Sequence, residues 1–148
     1  MLEGRVSKLL NELRATPLPA VAMPAGPLLG AHTSWSGTYV CAQGTTAVQL
    51  QLWREGDALT AQFDFGPVPF NPGVPRGSFV LTGQLGPHAG SFELVPNRWV
   101  SQPLGYRMVG MTGVVDVAAG QLYGRMEDPQ CGTFWLARAG VGLQRTLR

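Results

Sequence analysis

Val48-Gln49-Leu50-Gln51-Leu52 and Leu59-Thr60-Ala61-Gln62-Phe63-Asp64-Phe65 exchange apolar for polar side chains at every step. Successive side chains of a strand leave opposite faces, so a period of two puts one set inside and the other in water. The polar set, Gln49, Gln51, Thr60, Gln62 and Asp64, marks a sheet with one wet face. That argues for antiparallel pairing, because parallel sheets are covered on both sides and read as unbroken apolar runs.

Outward from this pair, strand-like segments recur at 37–42, 47–54, 58–65, 77–85, 90–95, 106–115, 121–127 and 132–138. Glu55-Gly56-Asp57 and Ala118-Ala119-Gly120 have tight-turn chemistry, and Gly86-Pro87-His88-Ala89-Gly90 forms a slightly wider loop. Sequential hairpins make a meander, and a meander of about eight strands removes its edges by closing into an antiparallel β-barrel. Gly83, Gly110, Gly113 and Gly124 fall inside strands, where a missing side chain permits the bends that barrel corners need. A two-sheet sandwich is the alternative. In a barrel the first and last strands are neighbours, so the α-carbons of Cys41 and Cys131 should lie within about 7 Å, the limit for a bridge. The simplest state of the two thiols is nonetheless reduced and buried, as free cysteine often is where no signal peptide is read.

The chain divides at 33/34. Residues 1–33 combine an amphipathic helix, with Leu2, Val6, Leu9, Leu10 and Leu13 on one face, and a linker carrying Pro17, Pro19, Pro24 and Pro27. Residues 34–148 form the barrel domain. So short a helix needs something to pack on, which points to a protein partner or self-association into an oligomer. Of the 148 residues 45% are hydrophobic but only 14% charged, against about 25% in ordinary soluble domains, and a surface poor in charge also suits a partner. A formal charge of +2 is too small for the phosphate neutralisation of nucleic-acid binding. The sequence contains no apolar run of membrane-spanning length and no leader-like start, so the expected location is cytoplasmic.

The opening of the first strand, Trp35-Ser36-Gly37-Thr38-Tyr39, resembles the aromatic-x-Gly-Thr-aromatic start of the fatty-acid-binding and avidin-like barrels, grouped as calycins. The resemblance implies an up-and-down barrel, opening aromatics that plug one end, and a small apolar ligand inside. It transfers no binding residue. The helical lid that fatty-acid-binding proteins insert after the first strand has no room between Tyr39 and Thr46.

Recognition is expected on the two long connections. Residues 96–106, bracketed by Pro96 and Pro103, offer Arg98, Trp99, Gln102, Tyr106 and, next in line, Arg107. Aromatic and arginine side chains on a stiff loop are common anchors. The competing role for Trp99 is to fold down as a cap on the barrel end. Residues 66–76 hold four prolines and Phe70, whose plainest role is to bury itself on the rim. Catalytic groupings are sparse: Gly-x-Ser-x-Gly does not occur, and His32 and His88 lack sequence partners for general-base work. No residue pattern requires a metal or cofactor, and no catalytic residue is assigned. Asp64 should face water unless the lumen is polar, in which case Gln49, Gln51, Gln62 and Asp64 would line a cavity. The sequence therefore reads as a non-catalytic binding module for a protein or a small apolar ligand. Its rival is a small barrel enzyme, an isomerase or cyclase, and what separates them is a packed lumen against an open one that holds a carboxylate or tyrosine beside apolar walls.

Overall fold

In a computed structural model, which describes residues 31–116 and 118–138, the strands close into one antiparallel barrel in meander order. The amphipathic helix expected within residues 1–33, with Leu2, Val6, Leu9, Leu10 and Leu13 on one face, lies outside the described residues. The strands are β1 His32–Cys41, β2 Gly44–Glu55, β3 Ala58–Gly66, β4 Gly77–Leu85, β5 Ser91–Ser101, β6 Gly110–Asp116, β7 Gln121–Glu127 and β8 Thr133–Arg138. Each pairs with its neighbours, and β1 pairs with β8 from Trp35↔Arg138 to Tyr39↔Phe134. The sandwich is thereby overturned: a ladder joins first strand to last.

The period of two does what it promises. Val48, Leu50, Leu52, Leu59, Ala61, Phe63 and Phe65 are buried, and they interdigitate with Trp35, Leu81, Leu94, Met111, Leu122, Phe134 and Leu136. Gln49, Gln51, Gln62 and Asp64 point outward, where Gln62 donates to Asp64 and to Ser78 and the Ser78 hydroxyl donates to Asp64. A polar lumen is thus excluded. The outer face carries these polar rows together with the exposed Val40, Trp53, Val95, Tyr123 and Trp135. Among the described residues no helix is long and apolar enough to cross a membrane.

Closure needs a close approach at Gly37, which pairs with Leu136. A side chain there would run into the backbone of Trp135 and Leu136, so the middle residue of Trp35-Ser36-Gly37-Thr38-Tyr39 is small because β8 passes against it. Gly83, Gly113 and Gly124 meet neighbouring strands in the same way, as the corner reading expects.

Three expectations need correction. Residues 96–106 are not one long loop: β5 continues through Pro96 to Ser101, and the connection is 102–109. Register shifts between Ser78/Phe79 and Val80/Leu81 leave Val100 and Asn97 of β5 without partners on β4, and these bulges carry the strand past a proline that has no N–H to give to the ladder. The sixth strand accordingly begins at Gly110, leaving Tyr106 in the loop. Finally, Cys41 and Cys131 are not free buried thiols but form a disulfide, with α-carbons 3.8 Å apart. The reason is closure itself, which sets the end of β1 beside the turn that leads into β8.

The bridge spans a sequence separation of 90 residues. In the chain-entropy picture a loop of that length contributes at most about 4 kcal/mol. Replacing both cysteines by serine should lower the unfolding free energy in urea by up to that amount while leaving the β-sheet circular dichroism unchanged, because the β1–β8 ladder remains.

Candidate functional site

An up-and-down barrel sends alternate connections to opposite ends. Residues 56–57, 86–90 and 118–120 turn at one end, and residues 42–43, 67–76, 102–109 and 128–132 turn at the other. Both long loops therefore share an end, together with the disulfide. The opposite half is filled: Trp35 is fully buried there, its indole N–H donating to Thr33 Oγ1 at 2.8 Å.

At the long-loop end the packing stops short of the rim and leaves a cavity of about 370 Å³. Its walls are aromatic. Phe63 stacks on Phe79 at 4.7 Å, Tyr39 meets Phe63 edge-on at 5.1 Å, and Tyr106 lies parallel to Phe65 at 5.6 Å. Met126 and Val109 complete the apolar lining; Gln43, Arg107, Asp128, Gln130 and the Cys41–Cys131 bridge form the rest.

Local chemistry places each group. Tyr106 N donates to Pro103 O at 3.2 Å, and Gly105 between them has φ 80°, as the third position of a type II turn requires. This turn carries Tyr106 back over Phe65, and Gln102 Nε2 holds it by donating to Tyr106 O at 3.1 Å. In the other long loop Asn71 N donates to Val68 O, closing a turn, and Asn71 Nδ2 donates to Gln43 O and Thr45 O, each at 2.9 Å. Asn71 thus clamps the loop 67–76 to the β1–β2 hairpin. Arg107 Nη2 donates to Asp128 Oδ2 at 2.6 Å, tying the loop 102–109 to the turn before β8.

The polar centre of the cavity is Tyr39. Gln43 Nε2 donates to its hydroxyl oxygen at 3.3 Å and to Thr46 Oγ1 at 3.0 Å. Burial pushes the Tyr39 phenol well above the usual tyrosine range; the hydrogen bond from Gln43 opposes this, and the nearby Tyr106 adds to it. Tyr39 is therefore a neutral O–H at any physiological pH. With Arg107 and Asp128 neutralising one another, the lining carries no net charge.

The residues singled out from sequence divide in two. Tyr106 and Arg107 line the cavity, and Trp99 stands behind it, edge-on to Phe79 at 5.3 Å and to Phe65 at 6.4 Å, in the capping role. Arg98 points outward from β5, Gln102 serves its own loop, and Phe70 is 76% exposed at a turn tip instead of buried on the rim. Sequence reading missed Gln43, Asn71, Asp128 and Tyr39 as site residues. Asn71 carried a local signal, an asparagine set between Phe70 and Pro72 in turn company, and Tyr39 was marked as one of the opening aromatics, although it lines the cavity while Trp35 fills the other half. In comparisons with known proteins, no family model, no curated protein and no solved structure matches the chain.

Two measurements check this geometry. Because Tyr39 resists ionisation in the folded state, stability is fully present below the ordinary tyrosine pKa of about 10 and falls as pH rises beyond it. Phenolate absorbance should show a late-ionising tyrosine, and Tyr39→Phe should remove that late step. Trp99→Ala should destabilise by about 2 to 3 kcal/mol, as truncation of a packed aromatic does, whereas Arg98→Ala should stay within about 0.5 kcal/mol.

Proposed function

We propose that this chain is a calycin-like binding barrel whose open end holds a small, uncharged, mostly apolar ligand. One observation carries the reading: the barrel is packed from the short-hairpin end to its middle, then opens under the two long loops into an aromatic cavity of about 370 Å³. That volume lies in the lower part of the range for small-molecule sites, and such sites combine apolar walls with a few placed polar groups. Tyr39 and Gln43 are those groups here. A ligand bearing a carbonyl or hydroxyl can accept from the Tyr39 hydroxyl at the base while its body lies between Phe65, Phe79 and Tyr106.

The cavity also meets one condition set for the isomerase or cyclase reading, since it has a tyrosine beside apolar walls. Binding is favoured over catalysis because proton transfer needs a group whose pKa lies near the working pH. Tyr39 is held neutral far from that point, and Asp128 is occupied by Arg107. The disulfide supports an oxidising compartment as the place of action, in place of the cytoplasm expected from the sequence. Self-association through residues 1–16 remains a separate proposal, resting on the apolar face of that segment alone.

The uncharged fluorophore N-phenyl-1-naphthylamine should bind saturably with enhanced emission. Tyr106→Ala, which removes the ring over Phe65, should weaken it about ten-fold, the worth of a lost aromatic stack. Gln130→Trp, a bulky group at an exposed position of the mouth, should weaken it at unchanged melting temperature. Absence of saturable binding, or indifference to both substitutions, would refute the reading.

A further inference from the structure

The two long loops each close a hydrogen-bonded turn and set one large apolar side chain at its tip. In Val68-Pro69-Phe70-Asn71 the bond from Asn71 N to Val68 O leaves Phe70 76% exposed; in Pro103-Leu104-Gly105-Tyr106 the bond from Tyr106 N to Pro103 O leaves Leu104 100% exposed. Both turns are stiffened by proline, braced by Asn71 and Gln102, and lie at the same end of the barrel. The loops adjoin, since Pro103 packs where a side chain on Gly77 would go, at the end of the first loop. Such turns do not collapse onto the cavity below them. They hold their apolar tips in water, and an exposed apolar group held rigidly away from its own protein marks a contact surface.

The charges around the tips decide the partner. Arg76 ends the first loop, Arg98 faces outward near the end of β5, and Arg107 follows the second turn; all three are exposed. Among the described carboxylates at this end, Asp128 is paired with Arg107 and Glu127 with Arg125, while Asp64 accepts from the neutral Ser78 and Gln62, so Arg76 and Arg98 stand against one carboxylate. A flat protein surface would leave a fully exposed leucine at a turn tip poorly covered, whereas a fluid lipid layer wraps each protruding side chain while its phosphates meet the arginines. We propose that the open end of the barrel docks on an anionic lipid surface, with Phe70 and Leu104 entering the headgroup layer and Arg76 and Arg98 facing its phosphates. The cavity mouth would then open onto the lipid, but docking does not depend on the cavity being filled.

Co-sedimentation of the full-length chain with vesicles tests this. The chain should bind phosphatidylcholine vesicles containing phosphatidylserine, and bind them less as salt is raised. Phe70→Ser with Leu104→Ser should weaken binding about ten-fold or more, the equivalent of one lost apolar contact. Arg76→Gln with Arg98→Gln should remove the preference over pure phosphatidylcholine. Melting temperatures and fluorophore binding should not change in either pair, which separates this surface from the cavity. The proposal is overturned if the parent chain ignores anionic vesicles, or if the Phe70/Leu104 variant binds them like the parent. It is equally overturned if that variant instead lowers a concentration-dependent mass in light scattering, which would assign the tips to a contact between copies.

Discussion

Everything else in this barrel depends on the antiparallel ladder between β1 and β8. An open eight-strand meander would leave two unpaired edges, each a row of donors and acceptors ready to pair with another chain. The ladder from Trp35↔Arg138 to Tyr39↔Phe134 removes both edges at once. It forms only because Gly37 lets the β8 backbone come close, and the same approach sets Cys41 beside Cys131. The disulfide is a consequence of closure more than its cause.

Closure also makes the two ends unequal. Once the meander is a ring, its short and long connections fall at opposite ends. Three short turns gather at the end that Trp35 fills, and the loops 67–76 and 102–109 gather at the other. There the aromatic side chains of β1, β3, β4 and β5 meet in one cluster, with Tyr39, Phe63, Phe65, Phe79 and Trp99 in ring contact and Tyr106 added from the loop. Edge-on and stacked pairs of this kind keep rings rigid at the boundary of a cavity, so the site is largely formed before any ligand arrives. Tyr39 links the fold to the chemistry: it belongs to the closing ladder, packs on Phe63, and turns a neutral hydroxyl into the cavity.

Much of the fold was legible in the chain. The alternation at 48–52 and 59–65, glycine at hairpin positions and eight segments of strand length determined an all-β meander with its polar rows outside, because side-chain period and turn chemistry are local properties. The misreadings came where a local signal met a non-local remedy. Pro96 reads as the end of a strand, yet bulges at Asn97 and Val100 let β5 keep its pairing with β4 as far as Ser101, and that register is settled only by the two strands together. The thiols read as free because their pairing is set by two strands a separation of 90 apart.

The site itself was decided by tertiary structure. The sequence by itself determined that Tyr106, Arg107 and Trp99 would stand near one another, since they are close in the chain. It carried no sign that Tyr39, Gln43, Asn71 and Asp128, which are far apart in the chain, would join them, because only ring closure and the alternation of ends bring those stretches to one rim. Nor could composition tell a filled lumen from one that opens at a single end. That difference lies in how far Phe63, Phe79 and Met126 reach toward the mouth, a matter of packing in three dimensions that no local pattern encodes.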